Sequence, residues 1–212
     1  MHQGYWYYSW QLWLLATGVM GIVCVLAAYV IWWWRAAGMR RHIWRRLGNI
    51  ADRLLRDAVI PDGLGGRVTV DALLLRDGRL YVLDIRDVEG AIFGSDKMDQ
   101  WTAMSHHRRF VFRNPLRPMQ DRVSAVHALV PELQVVPRIL FTAHGHFPKG
   151  RPQGVELLDD FVRPLMRHRK AAAPVLDARL QTVWQRLCEA AGMSEGYVSP
   201  VLSTGAAGAG DG

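Results

Sequence analysis

The first pattern along this chain is a long run of apolar residues. Residues 12–34, LWLLATGVMGIVCVLAAYVIWWW, contain no Asp, Glu, Lys or Arg. As a helix that rises about 1.5 Å per residue, the run is long enough to cross a bilayer core of about 30 Å. Tyr and Trp residues flank both of its ends, where amphipathic rings settle at the level of the headgroups. The pattern predicts a transmembrane helix over residues 12–34.

Basic residues follow this run at once and predict its orientation. The juxtamembrane segment 35–45 and the residue after it contain five arginines and no acidic residue. The arginines are Arg35, Arg40, Arg41, Arg45 and Arg46. The positive-inside rule then places the C-terminal part in the cytoplasm and residues 1–11 outside an inner or plasma membrane. A cleaved signal peptide would have a charged start and a shorter apolar run, and a buried helix would have to hide three consecutive tryptophans beside arginines.

The next patterns belong to a folded domain. Apolar residues recur every three or four positions over residues 43–60, which predicts an amphipathic helix. Two apolar and β-branched runs follow, RVTVDALLLR at 67–76 and RLYVLDIR at 79–86, separated by Asp77-Gly78. An Asp-Gly pair between two such runs predicts two antiparallel strands joined by a tight hairpin.

The remaining elements complete an α/β pattern. We expect a short strand at 91–94, a loop around Trp101, a strand at 109–112, a helix at 117–130, a strand at 135–143, and helices at 157–169 and 175–191. This order predicts an α/β fold with a mixed sheet flanked by helices. A helical extension would occupy residues 144–198, and the Ser, Gly and Ala-rich tail 199–212 would be disordered.

The net charge favours a polyanionic partner but does not say which one. The formal net charge is +7, and all of it belongs to the chain after residue 34. This excess suits a partner rich in phosphate, either anionic lipid headgroups beside the anchor or a nucleic acid, DNA or RNA. The juxtamembrane arginines are explained by the membrane alone, so the rest of the domain is only slightly basic.

Cysteine and histidine give no metal site. Cys24 lies in the predicted span and Cys188 in a late helix, so a structural disulfide between them is not expected. The pair His106-His107 and the HGH motif at 144–146 have no further ligand at zinc-site spacing. We interpret these histidines as solvated loop residues.

Candidate chemistry lies on the two hairpin strands. Asp71 sits in the first strand, and Asp84 and Arg86 lie two positions apart, hence on one face, in the second. Hydrolysis of a phosphodiester with Mg²⁺ needs converging carboxylates and a cation near the developing charge. Asp71 is a lone carboxylate amid apolar residues, and such a group is costly to bury without a partner. Asp84 and Arg86, by contrast, could equally form a solvated ion pair.

The surroundings of these residues resemble a known family. The segments VTVDALLL, GRLYVLDIRDVEGAIFG, RNPLRPMQ and VPRILFT, with Trp101 among them, resemble the nuclease-related domain (NERD) of the PD-(D/E)xK restriction-endonuclease-like class over residues 46–143. The resemblance implies a restriction-endonuclease-like mixed sheet, with Asp71 and Asp84 as ligands of Mg²⁺ or Mn²⁺ and Arg86 in the place of a lysine. Gly90, Trp101 and the Asn114-Pro115 turn match family positions.

Several departures leave two functions open. The second carboxylate is Asp84 where the family prefers Glu, and Arg86 stays protonated, so it cannot act as a general base. Gly48-Asn49 lacks the acid that commonly follows the family's glycine, and Asp52, one turn along, is a candidate substitute. The chain is therefore either a metal-dependent phosphodiester endonuclease or a non-catalytic, membrane-tethered binding module on the same fold.

A basic patch and a tryptophan have alternative explanations. Arg108, Arg109 and Arg113 could touch phosphates, or they could keep an exposed strand edge from pairing with other sheets. Trp101 could stack on a base, although a core role that fixes its loop is favoured by the large area such rings bury. Asp87 and Glu89 are expected to flank a solvated turn before Gly90.

Overall fold

The computed structural model describes residues 20, 22–30, 38, 40–106, 108–167 and 177–192. It divides the chain into two units, residues 1–45 and 46–212. In the first unit residues 20, 22–30, 38 and 40–45 are helical. Across the described ranges, no helix is both long and apolar enough to span a bilayer. Most of the predicted span 12–34, all of residues 1–11 and the tail 199–212 lie outside the described residues, so these assignments stay predictions.

The described residues of the second unit form two sheets and four helical segments. After the helical residues 46–50 (α1), the elements are β1 (Arg53–Pro61), β2 (Arg67–Arg76), β3 (Arg79–Arg86), β4 (Gly90–Phe93), β5 (Gln100–Ser105), β6 (Arg108–Arg113), α2 (Leu116–Leu129), β7 (Gln134–Phe141), β8 (Gly145–His146), β9 (Val155–Leu157), α3 (Leu158–Arg167) and α4 (Ala178–Ala190). The strands form a five-stranded main sheet of order β1-β2-β3-β7-β9 and a four-stranded second sheet of order β6-β5-β4-β8. The predicted α/β fold with a mixed sheet flanked by helices is confirmed, and the second sheet was not predicted.

The hairpin that carries the candidate residues forms as predicted. β2 and β3 pair antiparallel, from Arg76 opposite Arg79 to Ala72 opposite Leu83. Asp77 and Gly78 both have positive φ, 48° and 72°, as a tight two-residue turn requires. On its other side β3 pairs with β7 in parallel along its whole length. The end of β3, where Asp84 and Arg86 lie, is therefore also the end of β7.

Two glycines and one tryptophan hold the second sheet in place. Gly90 has φ +98°, and a Cβ there would lie 2.2 Å from the carbonyl oxygen of Met104. At Gly94 a Cβ would lie 2.1 Å from Cδ2 of Trp101. Trp101 is fully buried, stacks on Phe141 at 6.2 Å between ring centroids, and donates its Nε1–H to the Ser95 carbonyl at 3.0 Å. The core role expected for Trp101 is confirmed.

Asn114 fixes the start of α2. Its side-chain amide donates to the carbonyls of Ser95, Asp96 and Met98, and its Oδ1 accepts the Leu116 N–H at 2.9 Å. The Asn114-Pro115 turn thus joins the loop after β4 to the first turn of the helix. Since α2 packs on β2, β3 and β7, this turn also sets where the polar residues of α2 meet the main sheet.

Three element predictions were wrong. The predicted helix 43–60 ends at residue 50, and Arg53–Pro61 form β1, which pairs with β2 along its length. Ladder bonding and burial of Leu55, Ala58 and Ile60 against the core outweigh a helix-like spacing in this region. Residues around Trp101 form β5 instead of a loop, and the extension 144–198 begins with two short strands, of which β9 joins the main sheet beside β7.

Candidate functional site

Asp71 and Asp84 meet across two neighbouring strands. One step beyond the last pair of the β2–β3 ladder, Ala72 with Leu83, the register sets Asp71 opposite Asp84. The Ile85 N–H donates to Oδ2 of Asp71 at 2.8 Å, which ties the Asp71 side chain to β3. Two like charges at directly opposed positions destabilise a sheet. This cross-strand pair therefore requires a cation, and the structure shows which cations supply it.

Both oxygens of Asp84 face guanidinium groups. The Asp84 side chain is only 1% exposed. Arg86 donates from Nη2 to Oδ2 of Asp84 at 2.8 Å, and Arg122 donates from Nη1 to the same oxygen at 2.7 Å. Arg86 Nε lies 2.7 Å from the other oxygen, Oδ1, but its N–H is not directed at it and finds no hydrogen-bond acceptor among the described residues. Asp84 is thus held by charge on both sides, and one donor of Arg86 is left over.

Arg122 is the member of this cluster that the sequence did not reveal. It lies on α2, is mostly buried, and also donates from Nε to the Thr69 carbonyl at 2.7 Å. The contact joins residues 38 positions apart through the packing of a helix on a sheet, so no local spacing connects them. We name Asp71, Asp84, Arg86 and Arg122 the carboxylate–arginine cluster.

Burial and charge shift two pKa values within the cluster. Burial raises the pKa of Asp71 above its ordinary value of 3.8, and the Asp84 charge adds to this, while the Ile85 hydrogen bond and the two arginines oppose it. Burial acts to lower the pKa of Arg86, but the hydrogen bond and the charge of Asp84 outweigh burial and raise it. Arg86 therefore stays charged and donates hydrogen bonds without accepting a proton.

The donor set does not fit a divalent cation as it stands. Mg²⁺ takes carboxylate oxygens and water in near-octahedral geometry. Here both Asp84 oxygens face arginines, and the cluster's two carboxylates are matched by two guanidiniums. Within the described part of the chain, no group of three or more His, Cys, Asp or Glu residues is placed to hold a metal. What the cluster does offer is the Arg86 guanidinium, whose side chain is partly exposed and suits a phosphate oxygen, while the unpaired Nε of the same group is buried.

Asp52 does not join the site. Its Oδ2 accepts the Asp77 N–H at 2.9 Å and its Oδ1 lies 3.6 Å from Arg76. These contacts lie at the turn end of the hairpin, five residues along β2 from Asp71, or about 17 Å at 3.4 Å per residue. The expectation that Asp52 replaces a missing acid at the metal site is wrong, because its carboxylate instead secures the β2–β3 turn.

A second polar group lies just past the ends of β3 and β7. Asp87 Oδ1 accepts the Thr142 hydroxyl at 2.6 Å and lies 3.0 Å from Nδ1 of His144. Burial acts to raise the pKa of Asp87, but these two hydrogen bonds and the charge of His144 lower it overall. Asp87 and His144 are exposed, as predicted, yet they are paired with each other and hold the β7–β8 turn against β3.

The three predicted phosphate-binding arginines lie on an exposed edge. β6 is the outer strand of the second sheet, and Arg108, Arg109 and Arg113 are all exposed on it. Alternation along the strand divides them, with Arg109 and Arg113 on one face and Arg108 on the other. They do not form a single patch with one another or join the carboxylate–arginine cluster directly.

Comparison with known proteins identifies one region of the chain. Residues 40–142 match the family model described as nuclease-related domain. An uncharacterized protein of Bacillus anthracis is 20% identical over 102 residues, which cover 47% of this chain and 48% of that protein. The chain thus spans about half the length of this relative. No solved structure matches the chain.

Proposed function

Since residues 40–142 match the nuclease-related domain family, we propose that this protein binds the phosphodiester backbone of a nucleic acid without cleaving it. The observation that carries the proposal is the pair of arginines on Asp84. In this arrangement the carboxylate that would hold a metal serves to position guanidinium groups. The site thereby offers a cation no free Asp84 oxygen, and its exposed charged group is the Arg86 guanidinium.

Arg86 is the group best placed to meet a phosphate. Its side chain is 38% exposed, whereas Arg122 is only 16% exposed and is tied to the Thr69 carbonyl as well. A planar guanidinium offers several N–H donors, so Arg86 can keep one bond to Asp84 and use the others on a phosphate oxygen. Asp84 and Arg122 then act as positioning residues that fix the Arg86 side chain.

Metal-dependent cleavage of DNA or RNA is the second candidate. It is favoured by Asp71 and Asp84 at opposed positions of adjacent strands, since carboxylate oxygens are the ligands that Mg²⁺ takes. Cleavage with Mg²⁺ or Mn²⁺ would require Arg86 and Arg122 to leave Asp84. The two candidates therefore differ in a measurable quantity, the affinity of the free protein for divalent metal.

A calorimetric titration of the full chain with Mn²⁺ separates them. Under the binding proposal, Mn²⁺ shows no saturable binding that Asp71→Ala or Asp84→Ala removes. Asp121→Ala, an exposed acid beside Arg122 on α2, is the matched control. Saturable Mn²⁺ binding that both site variants lose and the control keeps, together with nicking of a plasmid, would select the nuclease.

Oligonucleotide binding tests the proposal from the other side. A fluorescein-labelled oligonucleotide should bind the full chain, and Arg86→Gln should weaken that binding about tenfold, as expected when one charge-assisted hydrogen bond is removed. Arg79→Gln changes an exposed arginine at the opposite end of the same strand and should leave affinity unchanged. If wild type binds no oligonucleotide, the proposed function fails.

We also propose that residues 12–34 anchor the domain at an inner or plasma membrane, with the C-terminal part in the cytoplasm. The support is the uncharged apolar run and the arginines that follow it. Arg46 differs from the others because it pairs with Asp159 within the folded unit, so lipid contact is left to Arg35, Arg40, Arg41 and Arg45. A C-terminal reporter that works only outside the cytoplasm would overturn this orientation.

A further inference from the structure

A stack of three aromatic rings leads from the core to the exposed edge of the second sheet. Trp101 is fully buried, and its ring centroid lies 6.1 Å from that of Phe112 in an edge-to-face contact. Phe112 in turn stacks on Phe110 at 5.9 Å, with 21° between the ring planes. Phe110, the last ring, is 59% exposed. The row of rings therefore ends in an exposed phenyl ring that packs on Phe112.

Burial does not explain why Phe110 is aromatic. In the β5–β6 ladder it lies opposite Ala103, a small residue that is already buried. Leaving most of a phenyl ring in water costs part of the roughly 2 kcal/mol that burial of such a side chain contributes. An exposed ring held in one orientation is instead the surface on which an unpaired base stacks.

Charge around Phe110 fits the same ligand. Arg108 lies two residues away on the same face of β6, while Arg109 and Arg113 lie on the opposite face, and the strand RRFVFR contains no acidic residue. Arginines therefore lie on both faces of β6, each within three residues of Phe110. A groove or edge that combines basic side chains with stacking rings is typical of proteins that bind single-stranded nucleic acid.

The Arg108 end of β6 also lies near the carboxylate–arginine cluster. Arg108 pairs with Ser105 in the ladder, and the Ser105 hydroxyl donates to Glu89 at 2.7 Å. Glu89 follows Arg86 by three residues, at most about 10 Å along an extended chain. A strand of a few nucleotides can therefore reach from Arg86 to β6.

Resting on the proposed function, we infer that β6 is the platform for a single-stranded nucleic acid, with a base stacked on Phe110 and Arg108 on an adjacent phosphate. A duplex does not offer this contact, because its bases are already stacked and paired. Pairing with a second copy of β6 is disfavoured: in the antiparallel register centred on Phe110 and Val111, Arg108 of one copy would face Arg113 of the other.

Anisotropy of labelled 20-nucleotide single strands of DNA and RNA, and of a 20-base-pair duplex, tests the inference with the full chain. Wild type should bind at least one single strand more tightly than the duplex. Phe110→Ala should weaken that binding about five- to a hundredfold, the reduction expected when one base no longer stacks. Phe110→Trp should restore it, because the stacking surface is retained.

Val111→Ala is the matched control, since Val111 is also exposed on β6 but lies on the opposite face. Binding by Phe110→Ala equal to wild type, with Arg86→Gln still weakened, would overturn the platform and leave the proposed function intact. Absence of all oligonucleotide binding would overturn both. A wild-type dimer in sedimentation that Phe110→Ala converts to a monomer would overturn the platform in favour of self-association.

Discussion

At the scale of single residues, the unusual one is Asp84, a carboxylate buried between two arginines. A buried charge is tolerated when its partners satisfy it, and removal of one member leaves the others uncompensated. Here Arg86 and Arg122 converge on Asp84 from a strand and a helix. Asp84 therefore contributes to the fold as well as to the chemistry of the site.

Asp84→Asn should destabilise the protein by about 3 kcal/mol or more, because two guanidiniums lose the charge that balances them. Urea denaturation of the full chain measures the change. Asp99→Asn is the control: Asp99 pairs with Arg117 at 2.5 Å, but both side chains are exposed, so the substitution should cost about 1 kcal/mol or less. Equal costs for the two variants would contradict this account of Asp84.

Neutralising Asp71 should not destabilise the protein, in contrast to neutralising Asp84. Burial and the Asp84 charge raise its pKa in the folded state, so its ionised form is disfavoured there and stability is lost as the pH rises from the ordinary value of 3.8 through the raised value. Asp71→Asn keeps an oxygen for the Ile85 N–H and removes the charge. We expect this variant to be at least as stable as wild type at pH 7.

The pH dependence checks the cause. The difference in unfolding free energy between Asp71→Asn and wild type should vanish below about pH 3.8, where both side chains are neutral. Denaturation curves taken at several pH values from 3 to 8 give that difference directly. An Asp71→Asn variant that is less stable than wild type at pH 7 would show that ionised Asp71 is instead a favourable member of the cluster.

At the scale of elements, the β2–β3 hairpin could be predicted from sequence because its information is local. Alternating apolar residues and Asp77-Gly78 specify two strands and the turn between them. β1 could not, since Leu54, Leu55 and Ala58 also satisfy a helical spacing and only pairing with β2 decides the outcome. Arg122 was missed for the same reason: its role depends on how α2 packs on the sheet.

Gly90 and Gly78 allow backbone conformation and close approach to be separated. Both have positive φ, but only at Gly90 would a Cβ overlap a backbone atom, the Met104 carbonyl oxygen at 2.2 Å. Gly90→Ala should cost about 3 kcal/mol or more, and Gly78→Ala only the 1–2 kcal/mol typical of a left-handed residue, roughly. Thermal denaturation compares them, and similar melting temperatures would refute the overlap argument.

At the scale of the whole molecule, charge and fold together decide which basic residues can contact a polyanion. The sequence alone could not distinguish lipid from nucleic acid as the partner of its basic excess. Within the folded unit the structure separates two groups of arginines, those on the edge strand β6 and the two paired with Asp84. Each group should respond differently to salt.

Oligonucleotide affinity should fall as salt rises, with a slope of about −0.7 per phosphate that the protein neutralises on a single strand. Replacing Arg108, Arg109 and Arg113 together by Gln should make that slope shallower by about 0.7 for each phosphate that β6 no longer neutralises. Titrations of labelled oligonucleotide at several salt concentrations give the slope for wild type and variant. An unchanged slope would mean that β6 touches no phosphate, and that its arginines only keep the sheet edge from pairing.

The shared carboxylate has a consequence for how this site can change over generations. Because Arg86 and Arg122 both bond to Oδ2 of Asp84, the effect of replacing one depends on whether the other is present. Arg86→Lys alone would leave Arg122 on the carboxylate, so a lysine at this position would not by itself free a metal ligand. Release of this carboxylate for a cation thus requires substitutions at both arginines, and the first alone leaves Oδ2 occupied.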